Sequence, residues 1–294
     1  MKIRLGTRGS RLALVQSDLF AQRLRDAGHE VELVRIVTEG DIRPVDMSPG
    51  EGVFVAAIAR ALINGEIEIA VHSAKDIPLD EDPELVIAAY PERADPRDVL
   101  VTRSGGESLD TLRSGARVGT DSPRRAGFLR AARPDLVVVP LHGNVETRLQ
   151  RLDQSEVDAL VLAAAGIDRL GRSERVDQRL DPELITPAPA QGALAVQARR
   201  SDSQLVRLLA SFDVGSVRLA VETERQALKA TGGTCRAPVG ALASIEGGTF
   251  TLLVAGVNSD GTGKRVEHIA GACSNASELA AGAGRRLVAE IALR

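Results

Sequence analysis

Glu66-Ile67-Glu68-Ile69-Ala70-Val71-His72-Ser73-Ala74 and, further along, Glu156-Val157-Asp158-Ala159-Leu160-Val161-Leu162-Ala163-Ala164 decide the fold, because they align apolar for apolar over a run of strand length. A second correspondence precedes each of them. Leu5-Gly6-Thr7 followed by Ser10 and Arg11 has its counterpart in Val118-Gly119-Thr120 followed by Ser122 and Arg124, and both read as strand, short loop and helix. Two related α/β units are therefore implied.

Working outward, the first unit reads as a strand at Ile3 to Thr7 and a helix from Ser10 to Arg25 with Leu12, Val15, Leu19 and Leu24 on one side. A strand at Val31 to Val37, a helix from Val53 to Asn64 and a strand at Leu85 to Ala89 follow. Helices separate most of the strands, which predicts a largely parallel sheet. Pro91 to Arg97 has turn chemistry and charge without apolar period, and reads as a hinge. Pro187-Ala188-Pro189-Ala190-Gln191-Gly192 reads as a second, ahead of a buried strand at Ala193 to Val196 that is expected to return to the first unit. After Gly215 the texture changes to a helix at Val217 to Lys229, a glycine-rich loop, alternating strands near Thr249 to Val257 and Arg265 to Ile269, and a helix from Ser277. The expected architecture is α/β domain 1 over 1–91 and 193–211, α/β domain 2 over 97–187, and a small α+β domain 3 over 215–294. Two units joined by two hinge crossings predict a ligand cleft walled by strand carboxyl ends.

Composition agrees and excludes several classes. The 294 residues suggest two domains with room for a third, and 37 Lys+Arg against 40 Asp+Glu leave a net charge of −3, which disfavours a nucleic-acid partner. No apolar run approaches the roughly 18 residues needed to cross a bilayer, so no membrane role is expected. Met1 runs into Lys2-Ile3-Arg4-Leu5 without an apolar export segment, and Cys235 and Cys273 are the chain's two cysteines; a cytoplasmic location is expected. Four lysines, Lys2, Lys75, Lys229 and Lys264, leave 33 of the 37 basic residues as arginine, so a lysine or cysteine carries more information here than one arginine.

Thr7-Arg8-Gly9-Ser10 and Thr120-Asp121-Ser122-Pro123-Arg124-Arg125 sit at strand-to-helix junctions, where free N–H groups and the helix dipole favour a carboxylate or phosphate. Ser10 and Ser122 also read as ordinary N-caps. Neither loop has the glycine spacing of a nucleotide cradle. His72-Ser73-Ala74-Lys75-Asp76 places a lysine and a carboxylate at a strand's carboxyl end, where Asp76 could stabilise developing positive charge or form a local ion pair. Gly232-Gly233-Thr234-Cys235 puts a thiol in a loop after a helix, either a covalent tether or a small buried apolar group. Two distant cysteines without histidine spacing give no metal site.

Taken together, Gly6-Thr7-Arg8-Gly9-Ser10, Ala70-Val71-His72-Ser73-Ala74-Lys75-Asp76-Ile77-Pro78, Asp95-Pro96-Arg97-Asp98, Val118 to Arg125, Gly143-Asn144-Val145-Glu146-Thr147-Arg148-Leu149, Ala164 to Gly171, Gln191-Gly192-Ala193 and the Cys235 loop resemble the porphobilinogen deaminase (hydroxymethylbilane synthase) family. The resemblance implies two domains like those of periplasmic solute-binding proteins and a third with the cysteine loop. It implies a transferase of porphyrin and heme biosynthesis that deaminates porphobilinogen and joins four units head to tail, on a dipyrromethane cofactor held by a thioether at Cys235. Asp76 is implied as the catalytic carboxylate. Lys75, Asp76, Ser122, Arg124 and Arg125 are implied at the cofactor, and Arg8, Ser10, His142, Arg148, Arg169 and Gln191 at the substrate. A monomer is implied, with a functional link to the cyclising uroporphyrinogen-III synthase that follows.

Four positions depart from the family's usual pattern. His142 stands where an arginine is usual, Asp121 where a second serine is usual, and Met47 and Glu51 where the loop Ile42 to Gly52 usually carries lysines. Each lowers the positive charge near a polyanionic ligand, since an imidazole is only partly charged at neutral pH. Weaker substrate affinity or a compensating arginine is expected. The alternatives are an impaired or repurposed family member, or a protein that binds an anionic small molecule without catalysis.

Overall fold

The computed structural model describes residues 1–37, 55–80, 82–233 and 237–291. Its strands are β1 (Lys2–Thr7), β2 (Glu30–Arg35), β3 (Ile69–Ser73), β4 (Leu85–Ala89), β5 (Asp98–Thr102), β6 (Arg117–Gly119), β7 (Val137–Val139), β8 (Ala159–Ala163), β9 (Gln178–Arg179), β10 (Leu194–Arg199), β11 (Val239–Glu246), β12 (Thr249–Gly256) and β13 (Arg265–Ala272). Its α-helices are α1 (Arg11–Asp26), α2 (Ala56–Ile63), α3 (Pro123–Ala132), α4 (Val145–Asp153), α5 (Ala164–Arg169), α6 (Ser203–Ala210), α7 (Gly215–Ala230) and α8 (Ala276–Glu290). They fall into two compact units, residues 1–93 with 193–218 and residues 94–192 with 219–294.

The first unit is built on a five-stranded sheet of order β2-β1-β3-β10-β4. β1 pairs in parallel with β2 and β3, while β10 runs antiparallel to both β3 and β4. Period-two alternation gives the sheet two apolar faces. Ile3, Leu5, Ile69 and Val71 pack with Phe20 and Leu24 of α1 and Leu205 and Leu209 of α6, whereas Ala70 and Leu85 pack with Ile58 and Leu62 of α2. Helix α1 turns Phe20, Ala21 and Leu24 inward, and Leu19, expected on the buried stripe, is half exposed. The stripe is rotated because Phe20 fills the space beside Phe212, ring centroids 5.5 Å apart.

The second unit repeats this plan with the order β7-β6-β8-β5-β9. β6 is parallel to β7 and β8, and β5 is antiparallel to β8 and β9. The register repeats as well: Leu5 faces Ile69 and Gly6 faces Ala70, as Val118 faces Ala159 and Gly119 faces Leu160. Gly6 and Gly119 occupy equivalent places for the same reason, since a Cβ would lie 2.3 Å from Ile67 Cδ1 or 2.9 Å from Leu141 Cδ2. The α/β expectation holds, but each sheet is mixed, not largely parallel. The cause is that β5 and β10, which follow the two crossings, enter beside the central strands β8 and β3 from the opposite direction.

Residues 219–294 lie in the second unit and form their own antiparallel sheet, β11-β12-β13, with α8 against β12 and β13. Ala255 and Val257 join Phe128 and Leu129 of α3 in one core. Beside it the two crossing segments run against each other, with Ala94 N–H donating to Gly192 O at 3.2 Å. Gly192 has φ +88°, and a Cβ there would lie 2.5 Å from Ala94 O, so this position requires glycine.

Candidate functional site

In the first unit, β1 and β3 end side by side and deliver Arg8, Ser10, Ser73 and Asp76 to one pocket of about 90 Å³, which Gln16, Val71, His72, Val55 and Ile58 also line. Ser10 is the N-cap of α1, and its Oγ accepts from Ala13 N–H at 3.4 Å. That bond uses a lone pair, so the hydroxyl proton can still be donated; cap and anion cradle are compatible roles. Gln16 Nε2 donates to Ser73 Oγ at 3.1 Å and fixes that wall. Lys75 and Asp76 lie on a single 3-10 turn, Ala74–Asp76, with Asp76 exposed. His72 is 6% exposed, and burial lowers its pKa to about 4, opposed by the neighbouring amide of Gln197, which favours the protonated ring, so the ring is neutral at physiological pH.

In the second unit, Ser122 caps α3 in the same way, its Oγ accepting from Arg125 N–H at 3.4 Å, with Pro123 at the first turn. The two arginines that follow turn inward to Asp98 at the start of β5. Arg124 Nη2 donates to Asp98 Oδ2 at 2.7 Å, Arg125 Nη2 to Oδ1 at 2.8 Å, and Gln191 Nε2 to Oδ1 at 2.9 Å. Burial alone would push the Asp98 carboxyl up; the charges of Arg124 and Arg125 reverse this and hold it down at about 2. Arg124 also donates to Thr186 O, and Gln191 to Pro96 O at 2.8 Å, so the network fastens both crossing segments to the head of α3. Arg169 on α5 donates to Gly192 O at 2.7 Å.

Not all of this positive charge is matched. Arg148 Nε and Arg124 Nε are buried and donate to no acceptor. Burial and then the charge of Arg125 lower Arg148 to a pKa of about 10, against the attraction of Asp121, and burial lowers Arg169 to about 10. Both remain cations at neutral pH, in a setting that an anionic ligand would relieve. His142 and Asp121, two of the departures from the family pattern, meet here, with Nδ1 2.9 Å from Oδ1. The two departures are thus neighbours, and Asp121 is close enough to Arg148 to attract its charge.

Cys235 and the loop with Met47 and Glu51 lie outside the described residues. Among the described residues no group of three His, Cys, Asp or Glu side chains could hold a metal, and no helix is long and apolar enough to cross a membrane. Two functional supports escaped the sequence analysis. Asp98 is one, because nothing in its motif marks it as the buried partner of two arginines. Glu224, 0% exposed on α7, accepts from Ala190 N–H at 2.6 Å and Ala243 N–H at 2.7 Å. Its signal was present: Glu224 falls on the stripe Val217, Ala220, Val221, Ala227, Leu228, and a carboxylate on an apolar helix face must find buried donors.

Residues 3–207 match the family model described as porphobilinogen deaminase, dipyromethane cofactor binding domain. A protein named porphobilinogen deaminase from Acidothermus cellulolyticus is 47% identical over 296 residues, covering 98% of this chain and 88% of that one. Another of that name, from Roseiflexus sp. strain RS-1, is 44% identical, covering 97% and 98%. Among solved structures, the methionine binding protein MetQ is similar at a TM-score of 0.46 and 16% identity, over 74% of this chain and 92% of that one.

Proposed function

We infer the chemistry from one premise: the chain belongs to the porphobilinogen deaminase family. It is a hydroxymethylbilane synthase that deaminates porphobilinogen and joins four units head to tail into the linear tetrapyrrole of porphyrin and heme biosynthesis, with a dipyrromethane cofactor. The buried Nε of Arg148, which donates to no acceptor, carries this reading. Each porphobilinogen brings an acetate and a propionate, and the cofactor brings the same groups, so the residues present fit it.

Cys235 is the thioether tether, and Ser122, Arg124, Arg125, Lys75 and Asp76 hold the cofactor. When bound, the cofactor supplies the end onto which the chain grows. Arg8, Ser10, His142, Arg148, Arg169 and Gln191 receive the substrate, the arginines by charge-assisted hydrogen bonds to its carboxylates and Ser10 by its remaining hydroxyl proton. Arg125 orients Gln191 as well as pairing with Asp98, since its Nη2 lies 3.4 Å from Gln191 Oε1. Asp76 accepts from pyrrole N–H groups and stabilises the positive charge left on the substrate when ammonia departs. A monomer in the cytoplasm, passing its product to uroporphyrinogen-III synthase, completes the proposal.

The intact mass of denatured recombinant protein, wild type beside Cys235→Ser, tests it. Wild type alone should carry an excess equal to two linked, deaminated porphobilinogen units. A folded wild type that has no excess, and gains none when given porphobilinogen, would overturn both the cofactor and the tether. A non-catalytic binder of anions would then be the better account.

A further inference from the structure

One group in the first unit's pocket has no part in the chemistry above. His72 lies on the face of β3 that packs toward α2, two residues from Ala70 on the same face. In the register of β3 with β10, Ala70 faces Gln197 and His72 faces Ala195, so His72 and Gln197 are diagonal neighbours on one face. Both are almost fully buried, at 6% and 3% exposure. His72 Nε2 and Gln197 Oε1 are each sealed from solvent short of a well-formed hydrogen bond, and they are complementary: a ring N–H and an amide oxygen. An oxygen that can only accept places the imidazole proton on Nε2. The lone pair then belongs to Nδ1, the nitrogen that is not sealed, on a ring that lines the pocket with Arg8, Ser10, Ser73 and Asp76.

We propose that His72 contacts the substrate directly, its Nδ1 accepting a hydrogen bond from the aminomethyl group of porphobilinogen, and that Gln197 is the positioning residue that sets the tautomer. The inference rests on the porphobilinogen deaminase reading and identifies where the leaving amine is held. A lone pair in this place repels the acetate and propionate, whereas a primary ammonium has three protons and can share them. Neutrality also suits the step that follows. The C–N bond breaks with its electron pair on nitrogen, ammonia departs uncharged, and the positive charge stays on the substrate beside Asp76. His72 neither gains nor loses a proton. A carboxylate in its place would lose an ion pair in that step, while a neutral acceptor loses little.

The contact is made in the ground state, so it belongs to KM more than to kcat. In the holoenzyme, His72→Leu should raise KM about tenfold or more while kcat stays within about threefold. His72→Asn, whose amide oxygen replaces Nδ1, should restore KM, and His72→Gln, whose amide replaces Nε2, should not. The analogue bearing methyl in place of aminomethyl should inhibit wild type and His72→Asn, Gln and Leu equally. Nitrogen NMR of the wild type should show the Nε2–H tautomer, and Gln197→Leu should abolish its predominance. An unchanged KM in His72→Leu, or methyl-analogue inhibition that falls in step with it, would overturn the amine contact. If His72→Leu does not fold, equal KM values for the Asn and Gln variants do so instead. A wild type that makes no hydroxymethylbilane would sink the functional reading instead, while the tautomer spectrum still decides the Gln197 part.

Discussion

Asp76 and Cys235 stand out in the sequence because their neighbours are unusual: a lysine beside one, two glycines before the other, in a chain that otherwise builds its positive charge from arginine. What Arg124 and Arg125 touch was not legible, because their partners Asp98 and Gln191 come from segments that only the two chain crossings bring together. Asp76→Ala should lower kcat by roughly 10²–10³, the scale for removing one group aimed at developing charge, with an unchanged circular dichroism spectrum. Turnover near wild type would remove Asp76 from the chemistry. The Asp121–His142 contact at 2.9 Å makes a second residue-scale prediction. Asp121→Ser and His142→Arg each make the surroundings of Arg148 more positive, and each should lower KM about three- to tenfold. The double variant should fall short of the product, because the two groups touch. Equal KM values in all four proteins would place the pair away from the substrate.

Among elements, those with a clear apolar period were read nearly in place: β4 was expected at Leu85 to Ala89 and lies there, and α7 at Val217 to Lys229 lies at Gly215–Ala230. β5, β7 and β11 were missed. β7 has three residues, β5 begins with a buried aspartate, and β11 is broken by Gly240, whose Cβ would lie 2.4 Å from Thr186 O. None of the three shows a period that a linear reading can detect, because their spacing answers neighbours distant in sequence. Helix α7 joins two such neighbours through Glu224, which holds Ala190, a non-glycine residue at φ +65°, and the middle of β11. Glu224→Ala leaves two buried N–H groups without acceptors and should cost about 3 kcal/mol in denaturant unfolding. A loss below about 1 kcal/mol would show that water takes the carboxylate's place.

For the molecule as a whole, acid should act in two stages. The unfolded chain protonates His72 at an ordinary 6.5 and the folded chain only near 4, so this part of the stability is intact above 6.5 and is lost as pH falls from 6.5 toward 4. Asp98 has its folded pKa at about 2 against an ordinary 3.8, so its contribution is present above 3.8 and disappears as pH falls through 2. The urea midpoint should decline in both intervals, and His72→Asn should flatten the upper one alone. The same upper decline in that variant would assign it to another group. The duplicated architecture was legible from two short alignments, and so was the exchange that carries the strand after Gly192 back to the first sheet, yet the antiparallel sense of β5 and β10 was not, since nothing in a strand's own residues says from which direction it enters a sheet. That exchange governs the order in which a growing polypeptide can fold. Among the described residues β4 pairs only with β10, so a nascent chain emerging from the ribosome carries β4 as an unmatched ribbon, and β3 with one bare edge, until Arg199 is out. By then every strand from β5 to β9 has already been made. The half of the protein that begins first is the later to close its sheet, and its open edges must be kept from other chains during that interval.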